Sequence, residues 1–294
     1  MWIVITLAAT VFQIARTSEQ HRLKKVLNPT EAGYVRFAFA LPIAIVVAFV
    51  WFGLGAGELP TTNATFWAGV LGGGSAQILA TVALLTSFRH RDFAIGTLYA
   101  KTEVIFVALA SVVFLAESVS LIAAIGALLV LAGITALATN GNPRRAIEGG
   151  PDRALWFGVA AGLGFALASV GIRVATTALD GAVVDRTILT LTSMLTVQTL
   201  IQGVAIGRST TSSIRKVLGS WRSAAGVAML SLAGSTAWTW AIALENATRV
   251  RTLGQIEVIF AFAVGVAVHG ERQSSGSYLA AVVTTLGIGL VVLG

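Results

Sequence analysis

One segment of this chain is written twice. Glu103-Val104-Ile105-Phe106 recurs as Glu257-Val258-Ile259-Phe260, and the match runs on without a gap. Glu117 meets Glu271, Ser120 meets Ser274, and Gly133-Ile134 meets Gly287-Ile288. Ten of the 32 columns from 103 to 134 are identical, against roughly three expected by chance in a chain rich in Ala, Leu and Val. Further upstream, Ala68-Gly69-Val70 matches Ala225-Gly226-Val227, and Arg36 stands near the place of Arg186. Duplication constrains architecture before any single residue does, because both copies must fold into the same kind of unit.

That unit is a set of membrane spans. Hydrophobic residues make up 56% of the 294 and charged residues only 11%, with a mean hydropathy of +0.84. A soluble domain carries about a quarter charged residues. Apolar stretches long enough to cross a bilayer fall at 2–22, 32–53, 64–87, 93–115, 119–139, 154–178, 183–206, 221–245, 250–269 and 276–293. The turn-rich stretch 140–153, with Asn-Gly-Asn-Pro and Gly-Gly-Pro-Asp, is the expected linker. It separates a first repeat over 1–139 from a second over 154–294. Each repeat has an odd number of spans, so the second must enter the membrane from the opposite side. The expected fold is an all-α polytopic membrane protein, with ten transmembrane helices as two inverted five-helix repeats. Such repeats place a substrate site near the midplane, at their interface.

Charge placement agrees with inversion. The net charge is +7 and the pI near 10.5, but binding to nucleic acid needs basic residues gathered on one soluble surface. Here 13 of the 20 basic residues, from Arg22, Lys24 and Lys25 to Arg272, sit in connections after odd-numbered spans. Arg173, Arg186, Arg249 and Arg251 are read as lying at or near span ends. The basic connections switch repeat-equivalent position between the halves, as inversion requires when positive loops stay cytoplasmic. Both termini are then expected on the non-cytoplasmic side, with the lipid bilayer as partner and no nucleic acid. No cleavable signal is expected. The absence of cysteine excludes disulfides, thiolate metal sites and cysteine nucleophiles.

A carboxylate inside a membrane must pair, protonate or face water, which makes it a functional candidate. Glu103 lies about ten residues into its span and Glu257 is its repeat mate. The structural alternative is an ion pair that locks spans together, with Lys101, Arg36 and Arg186 as available partners. Lys101 and Glu103 are two residues apart and point about 200° apart on a helix, so they are not expected to pair directly. Tyr99, at i−4, shares the face of Glu103 and offers an aromatic wall. Trp238 and Trp240 point to opposite faces, so at most one lines a shared cavity. Gln77, Gln198, Gln202 and Gln255 are amides that bind substrate or simply bond between helices. Glu117 and Glu271 fall four turns beyond Glu103 and Glu257, at the membrane edge, where they cap a helix or pair with a loop arginine. His21, His90 and His269 show no metal-ligand spacing, so no metal is expected. No nucleophile–base constellation or phosphate-loop motif is present; Gly72-Gly73-Gly74 lies inside an apolar span. No enzyme activity and no cofactor are expected.

The spans, together with Phe114-Leu115-Ala116-Glu117, Gly126 and Gly133-Ile134, then Gly270-Glu271 and Gly287-Ile288, resemble the EamA-like branch of the drug/metabolite transporter superfamily. The resemblance implies a basket of ten helices around a central cavity in the bacterial cytoplasmic (inner) membrane, working by alternating access. It implies export of amino acids, related metabolites or toxic compounds. The proline common in the family's fourth and ninth spans is absent, and Lys101-Thr102-Glu103 and Gln255-Ile256-Glu257 occupy that region. The expected function is a secondary transporter of small metabolites such as amino acids, acting as a monomer or homodimer, with protons as the candidate coupling ion. The substrate-binding candidates are Glu103, Lys101, Tyr99, Arg36, Glu257, Gln255, Trp238, Trp240 and Gln77. Lys101 and Arg36 are suited to a substrate carboxylate; Glu103 or Glu257 to an amine or a proton. A passive channel or facilitator, or a multidrug exporter, is the alternative.

Overall fold

The structure, a computed structural model, describes residues 1–23, 26–90, 93–139, 153–267 and 274–294. The linker 140–152 lies outside the described residues, as do Lys24, Lys25, Arg91, His269, Glu271 and Arg272. Within them the chain forms helices and no strands. These are α1 (Trp2–Leu23), α2 (Pro29–Ala38), α3 (Ala40–Gly53), α4 (Ala64–His90), α5 (Phe93–Ala100), α6 (Glu103–Leu115) and α7 (Leu121–Ala138). Then follow α8 (Arg153–Thr177), α9 (Val183–Gly207), α10 (Ile214–Gly219), α11 (Trp221–Leu244), α12 (Ala247–Leu253), α13 (Ile256–Ala267) and α14 (Ser275–Leu293). Eight continuous or end-to-end helical segments are long and apolar enough to cross a membrane, and α1 carries a shorter apolar stretch, Trp2–Thr17. This is a multi-pass membrane protein.

The outward faces say the same. Val46, Phe49, Leu71, Leu79, Val113, Phe114, Leu128, Leu200 and Leu286 all stand exposed, an arrangement stable against lipid and costly against water. Trp67, Trp156 and Trp221 lie in the first turns of α4, α8 and α11 and are exposed there, as interfacial anchors are. With no hydrophobic drive between helices in lipid, close association rests on small residues. A Cβ on Gly73 would come within 2.9 Å of the Gly171 Cα, and one on Gly69 within 2.7 Å of the Ala175 backbone nitrogen, so α4 and α8 meet backbone to backbone. The α7–α14 seam is built alike: a Cβ on Gly126 would meet the Gly287 carbonyl at 2.7 Å, and one on Gly287 the Gly126 carbonyl. The other extensive packing is α1 against α11.

Three spans read from the sequence as continuous are interrupted. In the second, α2 ends at Ala38, four residues before Pro42, whose missing N–H leaves the Ala38 carbonyl without its helical donor. In the fourth, α5 stops at Ala100 and α6 starts at Glu103, with tight i→i−3 bonds from Lys101 N to Leu98 O (2.9 Å) and Thr102 N to Tyr99 O (3.3 Å). The Thr102 hydroxyl donates to the same Tyr99 carbonyl at 2.8 Å, a side-chain bond that competes with the helix ladder. In the ninth, α12 ends at Leu253 and α13 begins at Ile256, with Gln255 N bonded to Thr252 O at 3.0 Å. The breaks at 101–102 and 254–255 fall within one residue of equivalent places in the duplicated segment. Ser120 and Ser274, identical between the copies, both cap the following helix, accepting from Ala123 N and Ser277 N.

Candidate functional site

The broken fourth and ninth spans lie against each other, and their charges cross. Arg251 of α12 grips Glu103 in two-pronged fashion: its Nε donates to Oε1 and its Nη2 donates to Oε2 at 2.7 Å. Lys101, in the break between α5 and α6, forms an ion pair with Glu257 of α13. Each glutamate of the duplicated motif thus finds its cation beside the other copy's break. All four side chains are largely buried, so the pairing removes charges that the bilayer would not tolerate alone. Gln13 of α1 donates to the second oxygen of Glu257 at 3.4 Å.

Of the cations available to the two carboxylates, Lys101 pairs with Glu257, while Glu103 takes neither Arg36 nor Arg186 but Arg251. Arg251 is buried in α12 and is not a span-end residue. It was missed because it sits in a short helix preceding a break, where a sequence reading places a connection. Gln255, which replaces Lys101 in the repeat alignment, is one helical turn after Arg251 and donates from its amide to the Arg251 carbonyl at 3.2 Å. The missing cation is therefore supplied one turn earlier on the same helix face. Lys101 and Glu103 have separate partners, Lys101 standing in the break and Glu103 opening α6. Tyr99 does not share a helix with Glu103, because the 101–102 break intervenes; its ring and Cβ pack where a Cβ on Gly158 would fall. Gly162 likewise makes room for Thr102 and the Ala100 carbonyl, so both glycines dock the broken span on α8.

Beside these pairs lies a partly open cavity of about 30 Å³, within about 540 Å³ of space that includes its open mouth. That is room for a few waters or a small solute. Its walls come from α1, α2, α4, α8, α9, α11 and α12. Of the nine binding candidates, Arg36, Gln77 and Trp238 line it; Lys101, Glu103, Glu257, Gln255, Tyr99 and Trp240 do not. Arg16 and Arg251 complete the charged wall, and Gln13, Gln198, Ser169, Ser235 and Thr239 the polar one. Gln198 donates to Gln77 Oε1 at 2.6 Å. Arg36 donates from Nη1 to the Thr81 hydroxyl at 3.2 Å. Arg251 lies over the Trp238 ring, 4.2 Å from its centroid, a cation–π contact that helps hold both side chains in the wall. Arg16 escaped the sequence reading because it lies near the end of the first span, among polar residues.

The remaining candidates have structural places. Gln202 donates to the Thr30 carbonyl at 2.8 Å. Glu117 accepts from Arg173 Nε at 3.2 Å and from the Asn246 amide, a pairing at a helix end. Arg186 donates to the Thr176 carbonyl at 3.3 Å. His90 stacks on Phe157 with centroids 6.0 Å apart. Among the described residues no group of three or more His, Asp or Glu is placed to hold a metal ion.

No protein-family model and no curated protein matches the chain. A solved structure described only as "Crystal structure of protein" superposes with a TM-score of 0.68 at 15% sequence identity, over 99% of this chain and 96% of that one. At that identity the likeness is one of fold, and it extends along essentially the whole chain.

Proposed function

We propose that this protein is a secondary transporter of small polar metabolites, built from two inverted five-span repeats and similar to EamA-like members of the drug/metabolite transporter superfamily. The observation that carries the proposal is a polar, arginine-lined cavity deep among apolar helices, walled by both halves of the chain and flanked by two broken spans. Broken helices whose loose ends approach a mid-membrane cavity are how many transporters build a substrate site. Packing supports the pseudo-two-fold relation. Exchanging the halves turns the α4–α8 contact into α11–α1 and leaves α7–α14 as it is, and these are the three most extensive contacts in the molecule. On this reading the chain lies in the bacterial inner membrane with both termini outside the cytoplasm.

Alternating access needs contacts that close each side in turn. At the non-cytoplasmic side, Glu117, Arg173 and Asn246 tie the end of α6, α8 and the start of α12 together. On the other side, Glu31 of α2 accepts from Ser213 N at 2.9 Å and pairs with Lys216 of α10 at 3.4 Å. Both sets are polar, and opening either side would replace their contacts with water. Protons are the proposed coupling ion, with the Lys101–Glu257 pair as the place where one would be taken up. The test is counterflow in reconstituted vesicles preloaded with candidate metabolites. Uptake of labelled solute against unlabelled internal solute supports a carrier; flux without counterflow makes the protein a passive facilitator, and absence of flux sinks the reading.

A further inference from the structure

The wall of the cavity is chemically one-sided. Arg16, Arg36 and Arg251 all line it, each at least nine-tenths buried, and among the described residues no Asp or Glu does. All three side chains border the same space. Only Arg251 has a carboxylate, Glu103; among the described residues neither Arg16 nor Arg36 is within ion-pair distance of an acidic side chain. Counting Lys101 and Glu257 as a neutral pair behind Gln13, the cluster carries two positive charges without counter-charge. Two uncompensated charges in the interior of a membrane protein are expensive and mark a place where an opposite charge is received.

The orphaned polar atoms point the same way. The buried atoms without a hydrogen-bond partner on cavity-lining side chains are Arg16 Nε, Arg36 Nε and Trp238 Nε1. All three are N–H donors. A ligand that satisfies them must bring acceptors, and guanidinium groups match the paired oxygens of carboxylates and phosphates. An amine would meet three cations, with only amide and hydroxyl oxygens and the Trp238 ring to receive it and no carboxylate among the lining residues.

We infer that this cavity binds a small organic dianion, a dicarboxylate or a phosphate monoester, whose oxygens are taken by Arg16 and Arg36 with Arg251 and the Trp238 indole beside them. The inference deepens the transporter reading by naming its substrate class, but its chemistry rests on the wall alone. Two negative charges on the ligand bring the cluster to neutrality. One would leave a net positive charge, and a cation would add to it. The modest room in the cavity restricts the ligand to a few carbons.

Equilibrium binding to the full-length protein purified in detergent tests this, with labelled succinate and glycerol phosphate as the dianions. Acetate, putrescine and 1,4-butanediol serve as monoanion, dication and neutral controls. At least one dianion is expected to bind saturably and at least about tenfold more tightly than any control; which one does so separates dicarboxylate from phosphate ester. Arg16→Gln and Arg36→Gln each weaken it by about ten- to a hundredfold, the loss of one charge-assisted pair. Arg16→Lys, which keeps the charge, loses less than Arg16→Gln, and Trp238→Phe, which keeps the ring over Arg251, loses severalfold. Should a glutamine variant fail to fold, the lysine and phenylalanine variants and the wild-type selectivity still decide. No dianion binding to folded wild-type protein, equal binding of a control, or undiminished binding in the variants overturns the inference. Dianion binding without vesicle flux overturns the transporter reading and leaves the site; counterflow of other solutes that dianions do not inhibit does the reverse.

Discussion

Glu103 and Glu257 are repeat mates, and each is neutralised by a cation from the other broken span. Taking the carboxylate away leaves Arg251 buried without a counter-charge, the situation that makes breaking a buried ion pair far more costly than replacing it whole. Glu103→Gln is expected to lower stability by about 3–5 kcal/mol, measured by denaturation in detergent. The double variant Glu103→Gln/Arg251→Gln should be less destabilised than the sum of the two singles; strict additivity would mean the two side chains are not coupled. The Glu117–Arg173 pair makes the contrast. Its side chains are one-fifth exposed, so water already screens them. Glu117→Gln should cost no more than about 1 kcal/mol, and a loss near that of Glu103→Gln would show that water does not screen the pair.

Small residues act at the scale of helices. Gly133 faces Thr284 and the Ala280 carbonyl of α14 so closely that a Cβ would lie 2.2 Å from the threonine hydroxyl and 2.9 Å from the carbonyl. Gly289, on the same partner helix, has nothing within 4 Å of its Cβ position. Gly133→Ala should therefore destabilise the α7–α14 seam by about 1–3 kcal/mol, while Gly289→Ala should be neutral or slightly stabilising. Thermal unfolding of the two variants side by side checks this, and equal midpoints would refute the seam. Gly126, Gly133 and Gly287 of this seam were visible in the sequence as part of the repeat or of the family resemblance. Their partners were not, because a glycine's value in a membrane helix depends on which backbone approaches it. The breaks inside the fourth and ninth spans were likewise hidden. Neither contains proline, so hydropathy reads straight through them, and the interruption comes from one threonine hydroxyl and from tight turns seen only in the hydrogen bonding.

For the whole molecule, the central question is orientation. The absence of cysteine gives a clean background for single-cysteine labelling. Thr61 lies in the exposed connection between α3 and α4, and Thr211 in the one between α9 and α10. Under the proposed topology Thr61→Cys labels with an impermeant thiol reagent from outside intact cells, and Thr211→Cys only after the cytoplasmic face is opened. Labelling of both from the same side would exclude the inverted arrangement. The reversed pattern would keep the inversion and turn the whole protein over.

Taken alone, the sequence determined that this chain crosses a membrane many times. Apolar runs of this length have no other low-energy home, and each span is a local property that needs no knowledge of its neighbours. It also determined the duplication, and with it the two buried glutamates. Only the tertiary structure decided what those glutamates do. Ion pairing depends on which helices come together: Arg251 and Glu103 are 148 residues apart, and no periodicity links them. The cavity is likewise a property of seven helices at once. Arg36, Gln77 and Trp238 could be nominated one by one, but their meeting with Arg16 and Arg251, which makes the wall cationic, exists only in the packed bundle.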